Sequence, residues 1–354
     1  MIRVLVAEDS ATARTLLVAL LGAEPDITVV GEAHTGSEAV DLAQRLQPDL
    51  VTMDVHMPDL DGLEATRRIM TQSPRPILIV SSAAGSDVEL SLEATRAGAL
   101  MVIAKPEGVA SAGHEGARRQ LVSMVRALAA VKVVRRHGSS APPVASPVAA
   151  PRPRPFRAAR PTGATPELLA IAASTGGPAA LRTILAALPS SFPLPILVVQ
   201  HIAHGFTGGL AHWLGGDSSL EVRVAELGEP VRAGAVYIAP DDRHLGVRRD
   251  PEGALRLQLD AGAPVGTFRP SASYLFRSCA EVLGSRLLAL ILTGMGDDGV
   301  DGLRAVRRTG GRVLAQDEAS SVIYGMPREA ARAGVVDQVV PLDDLARRLM
   351  ELAG

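Results

Sequence analysis

The amino-acid sequence predicts an α/β protein of two domains, each built on a mostly parallel β-sheet. Within residues 1–131, five short apolar segments alternate with helical segments, the pattern of a doubly wound parallel sheet. A second alternating set occupies residues 167–354. Between the two sets, residues 132–166 contain eight prolines and no periodic apolar positions. We therefore expect that stretch to be an extended linker.

Composition restricts the possible classes of protein. A length of 354 residues is enough for two hydrophobic cores, and the net charge of −2 argues against a nucleic-acid-binding surface. The single cysteine, Cys279, excludes an intramolecular disulfide and fits a reducing compartment. No uncharged apolar segment approaches the ~20 residues of a membrane helix, and the N-terminus lacks the pattern of a signal peptide. We expect a cytoplasmic monomer that neither binds nucleic acid nor enters a membrane.

The first domain is expected to begin with a strand at residues 2–7, followed by a helix with Ser10 as its N-cap residue and Gly22 at its end. Further strands are predicted at 27–32, 50–53, 77–80 and 100–104. Helices are predicted at 37–46, 62–70, 86–97 and 118–131. Right-handed crossovers between parallel strands would bring the carboxyl ends of all five strands to one edge of the sheet.

Charged and hydroxyl side chains follow these strands at that edge. They are Glu8, Asp9, Asp54, Ser81 and Lys105. Three adjacent carboxylates would repel one another unless a cation lies among them, and oxygen ligands of this kind suit Mg²⁺, which commonly accompanies phosphate. A lysine and a hydroxyl nearby can hold phosphoryl oxygens. The pattern predicts magnesium-dependent phosphate chemistry.

Residues 1–131 resemble a two-component receiver domain, whose fold is flavodoxin-like. The resemblance rests on the acidic pair, the central aspartate before MPDLDG, the strand-end hydroxyl and the Lys-Pro sequence. It implies that Asp54 accepts a phosphoryl group from a histidine kinase, and that Glu8, Asp9 and Asp54 hold Mg²⁺.

The same resemblance implies that Ser81 is the switch hydroxyl, with adjacent Ser82 as the alternative, and that Lys105 pairs with the phosphoryl group. Many receivers carry an aromatic residue three positions before this lysine, where this chain has Val102. A valine cannot move a ring between buried and exposed positions, so the extent of activation by phosphorylation is left open.

The second domain is predicted to begin with a buried strand, Leu168–Ala173, that ends at Ser174. Gly176 and Gly177 permit a tight turn, and Pro178 suits the first turn of a helix. Ser174 therefore lies at the carboxyl edge of the sheet, where open α/β sheets bind ligands. It is either a nucleophile or only a helix-capping serine.

The remaining elements of this domain follow the same alternation. Helices are predicted from the glycine turn to 188 and at 206–214, 270–283 and from 327. Strands are predicted at 195–200, at 286–292 and at 312–315, and a β-rich region that includes 235–239 lies between the first two of these.

Three residue types at strand ends suggest hydrolytic chemistry in this domain. Ser174 and His201 follow two strands, and either Asp297 or Asp298 follows the strand at 286–292. A serine nucleophile needs a base, and the base needs an acceptor that fixes its tautomer. The order Ser–His–Asp and the absence of a G-x-S-x-G sequence argue against an ordinary α/β-hydrolase. A metal site at His201 and His204 is the weaker alternative.

The whole chain resembles the CheB family of chemotaxis protein-glutamate methylesterases. The matching sequences are ASTGGP at 173–178, QH at 200–201, RPS at 269–271, LTGMGDDG at 292–299 and YGMPREA at 324–330. The resemblance implies catalytic roles for Ser174, His201 and Asp298. It also implies support of the oxyanion by Thr175 and the backbone N–H of Met295.

The family's activity would be hydrolysis of glutamate γ-methyl esters on methyl-accepting chemoreceptors, with release of methanol, and deamidation of receptor glutamines. Phosphorylation of the receiver would relieve a block on the esterase, which would need no cofactor of its own. Domains are then expected at 1–131, 132–166 and 167–354. A DNA-binding response regulator and an adaptor with an inactive hydrolase domain are the competing classes.

Overall fold

The computed structural model describes residues 1–82, 88–106, 114–129, 131, 164–202 and 204–354. Most of the predicted linker at 132–166 lies outside the described residues. The first two positions of the helix predicted at 86–97 also lie outside them. The domain bounds 1–131, 132–166 and 167–354 remain predictions.

The N-terminal domain is a five-stranded parallel sheet with strand order β2-β1-β3-β4-β5. Its strands are β1 Ile2–Ala7, β2 Ile27–Ala33, β3 Leu50–Met53, β4 Ile77–Ser81 and β5 Met101–Ala104. Its helices are α1 Ala11–Gly22, α2 Gly36–Leu46, α3 Gly62–Gln72, α4 Val88–Ala97 and α5 His114–Ala129. Two apolar clusters, one on each face, account for the continuously apolar central strands. The doubly wound prediction is confirmed.

Local capping explains why the predicted helices begin close to their expected positions. The Ser10 hydroxyl accepts a hydrogen bond from the Ala13 N–H, so the predicted N-cap is confirmed. Thr35 and Asp61 cap α2 and α3 in the same way. The largest error is at α5, which begins at His114 rather than at 118 and ends at Ala129.

The second domain contains a seven-stranded sheet with order β14-β13-β12-β6-β7-β9-β8, in which every neighbouring pair is parallel. Its strands are β6 Leu168–Ala173, β7 Ile196–Gln200, β8 Glu221–Val224, β9 Ala235–Ile238, β12 Leu287–Ile291, β13 Arg312–Gln316 and β14 Gln338–Val340. A separate antiparallel hairpin is formed by β10 His244–Arg249 and β11 Leu255–Asp260.

Six helices cover the sheet in the described part of this domain. They are α6 Gly177–Ala187, α7 Thr207–Asp217, α8 Ala272–Leu283, α9 Val300–Arg308, α10 Met326–Arg332 and α11 Leu342–Ala353. Helices α9 and α11 and strand β14 were not predicted from the sequence. Helix α8 was predicted to begin at Pro270, whereas it starts at Ala272 with Ser271 as its N-cap residue.

Strand order explains how distant residues meet. The central strand β6 pairs with β12 on one side and with β7 on the other. Ser174 follows β6, His201 follows β7, and the loop with Asp298 follows β12. Because the three strands are parallel neighbours, these residues emerge at the same edge of the sheet.

The two domains contact each other beside this edge. Helix α4 of the first domain packs against α7 of the second, and the Arg96 guanidinium lies 6.0 Å from the ring centroid of Trp213. Ile323 packs against an apolar cluster of the first domain. In the part of the chain that the structure describes, every helix is too short or too polar to span a membrane.

Candidate active site and phosphorylation site

The imidazole of His201 is held by a carboxylate and an aromatic ring. Its Nε2 lies 3.0 Å from Oδ2 of Asp298, and its ring stacks on Phe268 with 4.3 Å between centroids and 11° between planes. Its Nδ1 is buried and forms no hydrogen bond with any described residue. When Nε2–H donates to the carboxylate, Nδ1 carries the lone pair and is the basic atom.

Asp298 is surrounded by donors. Besides His201, it accepts hydrogen bonds from the Ser271 hydroxyl at 2.9 Å and from the backbone N–H groups of Ala272 and Ser273 at 2.7 and 3.0 Å. Burial alone would raise the pKa of Asp298. The His201 ring and these N–H groups outweigh burial and lower the pKa to about 2. The residue is therefore an anion at neutral pH.

The structure distinguishes the two candidate aspartates by position. Asp297 is exposed, and its backbone carbonyl accepts from the Val300 N–H, whereas Asp298 lies against His201. His204 does not join His201, because its Nε2 pairs with Asp242 at 3.0 Å. In the described residues of this domain, no group of three metal-ligating side chains converges.

Ser174 occupies a tight turn rather than a helix cap. The N-cap residue of α6 is Gly176, whose φ is +77°. A Cβ atom added at this position would clash with the side chain of Val322. The Ser174 N–H donates to the Thr293 carbonyl at 3.0 Å. The Gln200 amide donates to the carbonyls of Ser174 and His201, both at 2.8 Å. Gln200 thus ties together the two chain segments that carry the serine and the histidine.

The loop after β12 approaches the serine closely. A Cβ atom on Gly294 would lie 2.7 Å from Cβ of Ser174, so only glycine fits there. The buried Thr293 hydroxyl donates to the Thr175 carbonyl at 2.9 Å and accepts from the Ile323 N–H at 2.9 Å. The N–H of Met295, next in the loop, forms no hydrogen bond within the described residues. It is available to a ligand at this edge.

These groups open into a cavity of about 1490 Å³ at the boundary between the domains. Ser174, His201, Phe268 and Met295 line its second-domain side. Several residues of the first domain line the other side, among them Met70, Arg96, Met101 and Val102. The first domain therefore covers the approach to Ser174.

The acidic edge of the first domain has the arrangement predicted for a cation. Glu8 and Asp54 are buried, Asp9 is exposed, and one carboxylate oxygen from each lies within 4.8 Å of the others. The Lys105 ammonium lies 2.8 Å from Glu8 and 2.9 Å from Asp54. Burial and the neighbouring Asp54 charge raise the pKa of Glu8 despite Lys105, as expected of crowded carboxylates.

Ser81 is the last residue of β4, and it is buried. Its carbonyl accepts a hydrogen bond from the Lys105 N–H. Ser82 follows it and is exposed. Both residues lie at the carboxyl end of β4, and their roles stay predictions.

Sequence reasoning missed the residues that pack around the proposed catalytic groups. Phe268, Ser271 and Thr293 each contact a proposed catalytic group or its turn, and none was assigned a role. Ser271 lay within the RPS sequence, which was a usable signal. Phe268 and Thr293 become visible only when separate loops are brought together.

The first domain is receiver-like and has an acidic cluster at its strand ends, and the second is an α/β domain with a Ser-His-Asp arrangement. Together they define a response regulator with a hydrolase output domain. Residues 4–111 match the family model of the response regulator receiver domain, and residues 169–349 match that of the CheB methylesterase. The chain belongs to the CheB methylesterase family.

Relatives cover both domains. The chain is 54% identical over 349 residues to "Protein-glutamate methylesterase/protein-glutamine glutaminase 4" of Myxococcus xanthus, covering 98% of this chain and 96% of the relative. A relative from Anaeromyxobacter dehalogenans with the same enzyme name is 48% identical over 99% of this chain and 98% of its own length. The crystal structure of the Thermotoga maritima CheB methylesterase catalytic domain matches with 41% identity and a TM-score of 0.52. It covers 53% of this chain and 100% of that one.

Proposed function

We propose that this protein hydrolyses γ-methyl esters of glutamate on chemoreceptors and deamidates receptor glutamines, under control of phosphorylation at Asp54. The observation that carries the proposal is the His201 imidazole. Its Nε2 is bound to Asp298, its Nδ1 has no hydrogen-bond partner among the described residues, and its ring lines the same cavity as Ser174. The family and the names of the relatives supply the substrate class.

The proposed reaction is acyl transfer through Ser174. Its Oγ attacks the ester carbonyl and forms a C–O bond while its proton passes to Nδ1 of His201. The tetrahedral oxyanion would be stabilised by the N–H of Met295, with Thr175 shaping the turn. Collapse breaks the bond to methoxide, which takes the proton from His201 and leaves as methanol. Water then hydrolyses the acyl-enzyme by the same proton transfers.

Deamidation follows the same route with a glutamine side chain, and ammonia replaces methanol as the leaving group. Asp298 stays ionised throughout, because its low pKa keeps it an anion that stabilises the imidazolium. In this proposal the esterase step uses only groups of this chain and water.

Regulation is proposed to start at the acidic edge of the receiver. Glu8, Asp9 and Asp54 fit a divalent cation, because their oxygens converge and two of the carboxylates are buried. Mg²⁺ bound there would neutralise the carboxylates and the incoming phosphoryl oxygens. Asp54 would accept the phosphoryl group from a histidine kinase, and Lys105 and Ser81 would bind its oxygens.

The domain contact supports a gate. Phosphorylation changes the receiver surface that includes α4 and β5, and this surface lines the cavity over Ser174. A contact of modest size can be shifted by the few kcal/mol that a new phosphoryl group supplies. Val102 lies on this surface in place of the usual aromatic residue, so the gate would act through rigid displacement rather than ring rotation. We propose a cytoplasmic location, where the kinase and receptors are accessible.

The test is methanol release from methylated receptor membranes, with and without a small-molecule phosphodonor and Mg²⁺. We expect release to rise with the phosphodonor, to lose that rise in Asp54→Asn, and to vanish in Ser174→Ala. Release that persists in Ser174→Ala would refute the nucleophile assignment. Release that ignores the phosphodonor in the wild type would refute the gate while leaving the esterase intact.

A further inference from the structure

A second histidine, His244, is buried behind the proposed triad. It is the first residue of β10, is 1% exposed, and lies outside the cavity lining that contains Ser174 and His201. It therefore has no access to a receptor side chain. A buried imidazole with both nitrogens paired, so close to the proposed active site, needs an explanation other than substrate contact.

Hydrogen bonds determine which atom of His244 carries its proton. Nε2 lies 3.1 Å from the Ala263 carbonyl, which can only accept, so Nε2 carries the hydrogen. Nδ1 accepts from the Ser271 backbone N–H at 3.2 Å. The ring is consequently a neutral imidazole in one tautomer. It also stacks on Tyr274 with 4.6 Å between centroids and 11° between planes.

Ser271 connects this ring to the catalytic carboxylate. Its backbone N–H is bound to His244, and its hydroxyl donates to Oδ1 of Asp298 at 2.9 Å. The same hydroxyl accepts from the Tyr274 N–H, as the N-cap of α8. Because Ser271 is fully buried, loss of the Nδ1 acceptor would leave its N–H unpaired and favour rotation of that peptide.

The two oxygens of Asp298 have different partners, so the orientation of the carboxylate depends on the positions of those donors. Oδ2 is bound to His201 and to the Ala272 N–H, and Oδ1 is bound to the Ser271 hydroxyl and the Ser273 N–H. Three of these four donors belong to the segment that begins at Ser271. A shift of this segment would therefore turn the carboxylate and displace the imidazole that it holds.

We propose that His244 is a positioning residue for the hydrolase reaction, acting through Ser271 to orient Asp298 and hence His201. The proposal rests on the proposed function, since it assigns a role to His244 in that reaction. It is a role in geometry, and His244 transfers no proton to the substrate.

The test compares His244→Asn with His244→Gln. The asparagine Oδ1 takes the place of Nδ1 and can accept from the Ser271 N–H, but it loses the donation to Ala263. The glutamine amide can reach Ala263 in the place of Nε2, but it leaves the Ser271 N–H without an acceptor. Both variants lose the ring and its stack on Tyr274, so each controls for the other.

We expect kcat to fall about 10- to 100-fold in His244→Gln with KM nearly unchanged, because a displacement of about 1 Å at a catalytic group has an effect of that size. His244→Asn should stay within about threefold of the wild type. Equal losses in the two variants, or a larger loss in His244→Asn, would overturn the proposal. Thermal unfolding of both variants shows whether a loss of kcat is caused by a decrease in global stability instead.

A double-mutant cycle tests the route through Ser271. If His244 acts through the Ser271 hydroxyl, adding His244→Gln to Ser271→Ala should reduce kcat by less than threefold further. Multiplicative losses would show that His244 acts independently of the Ser271 hydroxyl and would overturn this route to Asp298.

The rate at which a fluorophosphonate labels Ser174 separates this proposal from the proposed function. Labelling reports the activated serine without a receptor. Wild-type labelling without methanol release would refute the receptor esterase but leave the comparison of the His244 variants valid. Labelling rates that are equal in the wild type and His244→Gln would refute the positioning role.

Discussion

The Asp298→Asn substitution is the most informative perturbation of the site, because both oxygens of the carboxylate accept from donors. An amide offers only one acceptor oxygen, so its NH₂ group must face either His201 and Ala272 or Ser271 and Ser273. If the NH₂ faces His201, the imidazole is stabilised with its proton on Nδ1, where it cannot accept from Ser174. In either orientation the negative charge that stabilises the imidazolium is lost.

The structure sets the size of the effect. The folded protein lowers the pKa of Asp298 from 3.8 to about 2. This shift means that the fold stabilises the ionised carboxylate over the protonated form by roughly 2 kcal/mol. For catalysis, the loss of the correct tautomer and of the charge should reduce kcat by about 10⁴-fold, as in other serine triads. Asp297→Asn is the matched control, since that side chain is exposed and His201 is bound to Asp298 instead.

Stability should also depend on pH through this residue. Because the folded-state pKa lies below the unfolded one, the stabilisation is present above pH ~4 and is lost as the pH falls towards 2. By pH 3, about 1 kcal/mol of it should be gone. Urea unfolding at pH 5 and pH 3 should therefore show a steeper loss in the wild type than in Asp298→Asn.

The assay for catalysis is methanol release from methylated receptor membranes in the presence of the phosphodonor. A decrease of less than tenfold in Asp298→Asn, or a comparable decrease in Asp297→Asn, would refute the assignment of Asp298. Equal pH dependence of unfolding in the wild type and Asp298→Asn would refute the claim that the buried carboxylate is stabilised as an anion.

Two further predictions concern the loop and the gate. In Gly294→Ala the new methyl group would lie 2.7 Å from Cβ of Ser174, so fluorophosphonate labelling should fall at least tenfold, while Gly208→Ala, with open space around it, should label normally. Retained labelling in Gly294→Ala would contradict the close approach. Arg96→Ala removes the cation–π contact between the two domains at Trp213, which contributes about 0.5–1 kcal/mol. Because the closed arrangement is then less stable, basal methanol release without phosphodonor should rise about two- to fivefold. An unchanged basal rate, or an equal rise in the phosphorylated protein, would contradict a role for this contact in the gate.

Much of the fold was predictable because the signals are local. The central strands of both sheets are mostly apolar, and glycine, proline and capping residues mark where neighbouring helices begin, as at Ser10 and Pro178. Helices α9 and α11 were missed even though each has a well-defined buried face. The helical periodicity that marks these two helices lies between the motifs in this part of the chain.

The candidate site divides in the same way. The residue types Ser174, His201 and the Asp297–Asp298 pair follow strands, so their presence at one sheet edge follows from chain order and the parallel topology. Family resemblance, rather than spacing, favoured Asp298. In the structure, hydrogen bonds from two chain segments, one at His201 and one beginning at Ser271, surround that carboxylate, whereas Asp297 is exposed.

Tertiary structure alone decided the surroundings of those residues. The contact of His201 with Asp298, the pairing of His244 with Ser271, and the receiver surface over the cavity each bring together segments that are far apart in the chain. Local pattern encodes which face of an element is buried and where it ends. Hydrogen-bond direction and domain contact depend on the relative placement of whole elements, which no short stretch of sequence contains.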